Sequence, residues 1–413
     1  MADNICKLVD EEAVRALLEM KRVTTFFQPV VSILSKCIVG FEAFSRPAGE
    51  DCNVDTRMLF HAGLSPDVML EVDRLCRMNA LRQFQSIHAG HKGMLLFLKV
   101  NAECLPHIEM DKLILPGQLK EVDMGLESVV LQIPLAVPHV DKALQLFEKL
   151  REMGVRLCLD NCSEDAAFSL ALNRFKPDFV KVNRTFFGEE ERGEHTFETL
   201  AGVISRANRV GAQVIGQGVE TEEESIRLLS AGIHLQQGYY YSKDAASGGS
   251  DAAKAFLEKI VKTNDKFRVV RQQLVRRKKE RFAEAFRNVS KVAAKLSNVS
   301  EDRFEQACRA IVNGSQDHVS VFVLDREGSQ VTDRVYASGT RVSENTAAIM
   351  GSQKGADHSA QDYVLYLEMG YLQFVTPPFA SLAGGVNACL VSKPFFNTQG
   401  VRYTMCLEMA YPG

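Results

Sequence analysis

Short apolar runs that alternate with helix-length amphipathic segments constrain the fold of this chain more than any other feature. The runs are FFQPVVSI from Phe26, CIVGFEAF from Cys37, MLLFLKVN from Met94, VVLQIP from Val129, VRLCLD from Val155, DFVKVN from Asp178, AQVIGQ from Ala212 and IHLQQG from Ile233. Helical periodicity fills most gaps between them, at 138–153, 164–175, 194–211 and 221–231. Repeated βα units of this kind stack their strands in parallel and pack helices outside, and eight in about 240 residues fit a (β/α)8 barrel. The first two runs are joined by the short turn Leu34 to Cys37, which predicts an antiparallel hairpin and hence an antiparallel first strand.

Polar residues recur where these runs end: Glu42, Asn101, Gln132, Asp160 with Asn161, Lys181 with Asn183, Gln217 and Gln237. In an αβ barrel those ends converge on one face, the usual place of an active site. Near residue 245 the composition shifts to AASGGSDAAKAF, which marks the end of the barrel. Residues 266 to 297 have the spacing of one long helix, and the basic run RRKKER within it is read as a solvated helix face. Ser300 with Glu301 and Asp302 forms a helix start, with Gly314 near that helix's end. Beyond it HVSVFVLD, DYVLYLEMGYLQFV, NACLVS and VRYTMCLEM predict a small antiparallel α+β domain. The expected division is 1–250 barrel, 251–299 helical connector and 300–413 small α+β domain.

A net charge of −3 gives no reason to expect nucleic acid as a partner. No apolar stretch approaches the roughly 20 residues of a membrane span. The opening MADNICKLVDEEAV is acidic where a secretory leader would be basic, so a cytoplasmic location is expected. The 10 cysteines contain no CxxC pair and are expected to be reduced and mostly buried.

In this order, FFQPV, FEAFSR, KVNAE, LQIPLA, LDNCSED, KVN, GQGVE and QGYYYS resemble the motifs of EAL domains, the cyclic-di-GMP phosphodiesterases of bacteria, over residues 10–245. The resemblance implies a TIM-like barrel whose active members hold two divalent cations at the mouth and hydrolyse the dinucleotide to linear pGpG with Mg or Mn. By motif it retains Glu42, Asn101, Asp160, Lys181, Glu220 and Gln237. It departs at Gln132, Asn161, Asn183 and Gln217, each an amide where the family has the acid. Phe44 stands for a leucine, and Ser163 and Asp165 stand for glycines. An acid exchanged for its amide keeps shape but loses charge and a hard anionic oxygen, which Mg²⁺ and Mn²⁺ prefer.

A degenerate EAL-domain signalling protein is therefore expected, without phosphodiesterase activity, acting as a cyclic-di-GMP receptor or a protein-interaction regulator. The alternative is an active cyclic-di-GMP phosphodiesterase. Lys181, Gln217 and Glu220 are then vestiges of catalysis. Ligand contacts would come from Gln28, Glu42, Phe44, Arg46, Asn101, Gln132, Asp160, Asn161, Lys181, Asn183, Gln217 and Gln237. No cofactor is expected beyond at most one weakly bound Mg or Mn on Glu42, Asn101 and Asp160. A protein partner and a homodimer are expected, and the C-terminal domain resembles PAS-type sensory modules in architecture.

Overall fold

The computed structural model describes residues 11–48, 56–109, 113–160, 162, 166–187, 193–242, 250–339 and 352–411, save 62, 92, 136, 138, 382 and 384. It divides into two compact units, Met1–Gln272 and Gln273–Gly413.

In the first unit β1 (Val23–Ser32), β2 (Cys37–Pro47), β3 (Leu95–Lys99), β4 (Val129–Pro134), β5 (Arg156–Asp160), β6 (Phe179–Val182), β7 (Gln213–Gln217) and β8 (Leu235–Gln237) close into a barrel in sequence order. β1 runs antiparallel to both β2 and β8, whereas every pair from β2 to β8 is parallel. The hairpin read from Leu34 to Cys37 and the barrel are both present. The reversed first strand closes the circle without the crossover helix that a parallel neighbour would need. The predicted outer helices form at Val140–Glu152, Ala166–Phe175, Gly193–Arg209 and Glu222–Ser230.

Strand alternation divides the barrel into two shells. Outward side chains such as Leu96, Leu98, Val129, Leu131, Leu157 and Val180 join the layer under the helices. Inward ones form a separate plug of Val30, Leu95, Phe97, Val130, Cys158, Phe179, Ile215 and Leu235. Phe97 and Phe179 meet edge to face across it at 5.6 Å. The plug fills the lower barrel interior, which leaves the next inward positions toward the strands' C-terminal ends above it.

The long helix spans Ser250–Ser297, starting earlier than its periodicity suggested. Its early turns pack on the barrel, where Ile260 is buried and Asn264 Nδ2 donates to the Ile33 carbonyl at 3.0 Å. Its last turns place Val289, Val292, Ala293 and Leu296 in the second unit's core. That unit is an antiparallel sheet in the order β10 (Val335–Tyr336), β9 (His318–Leu324), β14 (Arg402–Ala410), β13 (Asn387–Phe396), β11 (Phe374–Val375), with β12 (Phe379–Ala380) also on β13.

One expected strand is wrong. Of DYVLYLEMGYLQFV only Phe374–Val375 is strand, and Asp362–Glu368 is helix. Its β-branched and aromatic residues suggested extended chain, but Val364 and Leu367 are the positions it buries, three apart, with Asp362 in the first turn.

The eight described cysteines are free, and Cys37 is the exposed one among them. No described helix is long and apolar enough to cross a membrane.

Candidate functional site: a charge-balanced ring above the barrel plug

Every strand but β2 carries an inward residue a single alternation step beyond its plug residue, β2 adds Glu42 two positions past Gly40, and every one of these residues is polar or charged. β1 gives Gln28, β2 Glu42, β3 Lys99, β4 Gln132, β5 Asp160, β6 Lys181, β7 Gln217 and β8 Gln237. Gln28 with Glu42, Lys99 with Gln132, and Gln217 with Gln237 are register partners on neighbouring strands, so these pairs sit at one height.

Glu42 is the hub. Its side chain is fully buried, and Oε2 accepts from Lys181 Nζ at 2.6 Å and from Gln237 Nε2 at 2.6 Å. The same Gln237 amide nitrogen donates to Gln28 Oε1 at 3.0 Å. Burial would push the Glu42 carboxyl up, but the Lys181 ammonium, followed by Lys99 and the Gln237 amide, outweighs it and holds the group below its usual value. Lys181 is also fully buried and lies 5.7 Å from the centroid of Phe97, so the plug supports the ion pair from below.

Lys99 comes from β3, the strand beside that of Glu42. Its Nζ lies 3.5 Å from Asp160 Oδ2 and 3.8 Å from Glu42 Oε1, and 5.7 Å from the centroid of Phe44. Its side chain is 49% exposed, whereas the carboxylates it faces are buried, so the ammonium looks out into the mouth.

Gln132 is 1% exposed, and neither its Oε1 nor its Nε2 has a hydrogen-bond partner. A buried amide left so is costly, which suits a group that expects a ligand or water. Above the ring stand Phe44, Arg46, with its guanidinium 4.8 Å over the Phe26 ring, and Asn101, whose Oδ1 accepts from the Glu103 backbone N–H at 3.1 Å. Asn183 begins a short 3₁₀ turn, Arg184–Phe186. Glu220 is exposed and pairs with Arg184 at 2.6 Å, while Arg184 also reaches Glu224 at 2.8 Å, so Glu220 belongs to an ion-pair cluster with these two residues. A cavity of about 1130 Å³ lies between the outer barrel face at Leu98 and Leu131 and the helix Val140–Glu152 at Leu146 and Phe147, and it reaches the mouth at Phe44, Arg46, Lys99 and Asn101. Asn161, Ser163 and Asp165 lie outside the described residues.

The structure thus brings together Gln28, Glu42, Gln132, Asp160, Lys181, Gln217 and Gln237, and adds Lys99, which motif reading passed over in favour of Asn101. The alternation Leu95, Phe97, Lys99 was its signal, a charge continuing the inward face of an apolar strand. The ring's formal charge is zero, since Glu42 and Asp160 are balanced by Lys99 and Lys181. Among the described residues, no group of three or more His, Cys, Asp or Glu comes together to hold a metal. The carboxylates present are already paired with ammonium groups, so the donor set does not suit two adjacent dications.

Residues 11–244 match the model of the EAL domain, which is more than half of the chain. The chain belongs to the EAL domain family. Relatives of this EAL barrel include the cyclic di-GMP phosphodiesterase NbdA of Pseudomonas aeruginosa, 24% identical over 248 residues, 56% of this chain and 30% of that protein. Another is the blue light- and temperature-regulated antirepressor BluF of Escherichia coli, 22% identical over 227 residues, 54% of each chain. The EAL chain thus spans less than two thirds of either relative. The YkuI protein of Bacillus subtilis, solved with cyclic-di-GMP and calcium, aligns with a TM-score of 0.77 at 16% identity, covering 98% of this chain and 100% of that one. That likeness shows the fold.

Proposed function

We propose that this EAL protein binds cyclic-di-GMP without hydrolysing it and acts as a receptor in signalling. The observation that carries the reading is the zero net charge of the ring, in which Glu42 and Asp160 each face a lysine instead of being free for metal ions. Hydrolysis by a metal-activated water needs close dications, and these need anionic oxygens to offset them. Gln132, Gln217 and Asn183 supply amides at three places where the resemblance expects acids.

What remains suits recognition. Arg46 can make charge-assisted hydrogen bonds to a phosphate, and the exposed Lys99 adds a second cation at the mouth. In the wider proposal the second unit is a PAS-like sensory module and the protein works as a homodimer on a protein partner. The family relative named as an antirepressor supports a regulatory role of this kind.

Calorimetric titration of the full chain with cyclic-di-GMP, in EDTA and then in Mn²⁺, tests the receptor reading. Binding is expected in both. Arg46→Ala should weaken it by about tenfold or more, the equivalent of one lost charged hydrogen bond of roughly 1.5–3 kcal/mol. Absence of binding in both conditions would remove the receptor reading and leave a scaffold that binds no nucleotide, and binding in Mn²⁺ alone would overturn its metal-free form.

A further inference from the structure

We infer that Lys99 is a tethered monovalent cation standing between Glu42 and Asp160, so that one side chain both excludes a divalent ion from this site and offers a positive charge to a phosphodiester. The inference deepens the receptor reading and rests on it for its second half only.

Its ammonium is flanked by two carboxylates from different strands, at 3.5 Å from Asp160 and 3.8 Å from Glu42. Glu42 Oε1 is buried and has no hydrogen-bond partner, so the charge facing it is its compensation. A metal ion shared by these carboxylates would sit beside the ammonium and be repelled by it at close range. The ammonium also lies 5.7 Å from the Phe44 ring centroid, which favours a cation at this place. An ammonium carries three donors, enough to serve both carboxylates and still meet one phosphate oxygen from the open side. Lys181 does not compete for that task, since it is fully buried against Glu42.

The test is Mn²⁺ binding to the full chain, followed by electron paramagnetic resonance without nucleotide, for the wild type, Lys99→Met and Lys99→Arg. Lys99→Met should bind one Mn²⁺ at least tenfold more tightly than the wild type, and adding Asp160→Asn should abolish the gain. Lys99→Arg, which keeps the charge, should behave as the wild type. Because Lys99 is half exposed, Lys99→Gln serves as a second variant with the same expected gain if the methionine form does not fold. Wild-type Mn²⁺ affinity equal to that of Lys99→Met, or no gain in either folded neutral variant, would overturn the inference.

Cyclic-di-GMP titrated in EDTA supplies the separate readout, with at least a tenfold loss expected in Lys99→Met. Should no form bind the dinucleotide, the receptor reading falls while the Mn²⁺ comparison still decides the exclusion of metal. Binding unchanged in Lys99→Met would overturn the phosphodiester half.

Discussion

Lys181→Met is expected to lower folding stability by about 3 kcal/mol, because it removes the nearer partner of a buried carboxylate and leaves only the half-exposed Lys99, 3.8 Å away, to face that charge. Both side chains are fully buried, and the contact spans the barrel from β6 to β2 at 2.6 Å. Gln237 would remain as the donor to Glu42 Oε2, and an amide cannot replace the lost charge. The double variant Lys181→Met with Glu42→Gln should recover most of the loss, since both charges then leave together. Urea denaturation of the four forms gives the coupling directly. A cost below about 1 kcal/mol for the single variant would show that the pair is solvated.

The second large effect is on catalysis. Enzymes typically accelerate their reactions by about 10⁶-fold or more, and the wild-type chain with Mg²⁺ or Mn²⁺ is expected to show no cyclic-di-GMP hydrolysis above a protein-free control. Glu42 already serves Lys181, Gln237 and Lys99, and Asp160 faces Lys99, so metal ions would have to displace two ammonium groups from the same carboxylates. A rate clearly above the control, abolished by Glu42→Ala, would show that the ring rearranges to accept metal and that the site is catalytic.

The barrel could be read from the chain because helix-length amphipathic segments separate most of its short apolar runs. The reversed β1 was legible from the short Leu34 to Cys37 turn, too short for a crossover. Seven of the ring residues stood at strand ends or in quoted motifs: Gln28, Glu42, Gln132, Asp160, Lys181, Gln217 and Gln237. Their pairing did not follow from that list. Whether Lys181 meets Glu42 depends on how the barrel closes, which brings strands distant in sequence face to face.

Lys99 escaped attention because a lysine ending an apolar run usually reaches solvent, and only its step beyond Phe97 on the inward face distinguishes it. Arg184, which ties Glu220 to Glu224, follows a motif end and carries no pattern of its own. In the second unit the segment 362–368 misled because Tyr, Val and Leu favour strands by type, whereas burial at a spacing of three made it a helix.

A ring with two carboxylates and two ammonium groups has too little negative charge to seat a close pair of doubly charged ions. Anomalous diffraction from crystals soaked in manganese and cyclic-di-GMP tests it most directly. Dinucleotide density is expected near Arg46 and Lys99, with no pair of manganese peaks above Glu42 and Asp160. Two fully occupied peaks a few ångströms apart at those carboxylates, with Lys99 swung away, would contradict it.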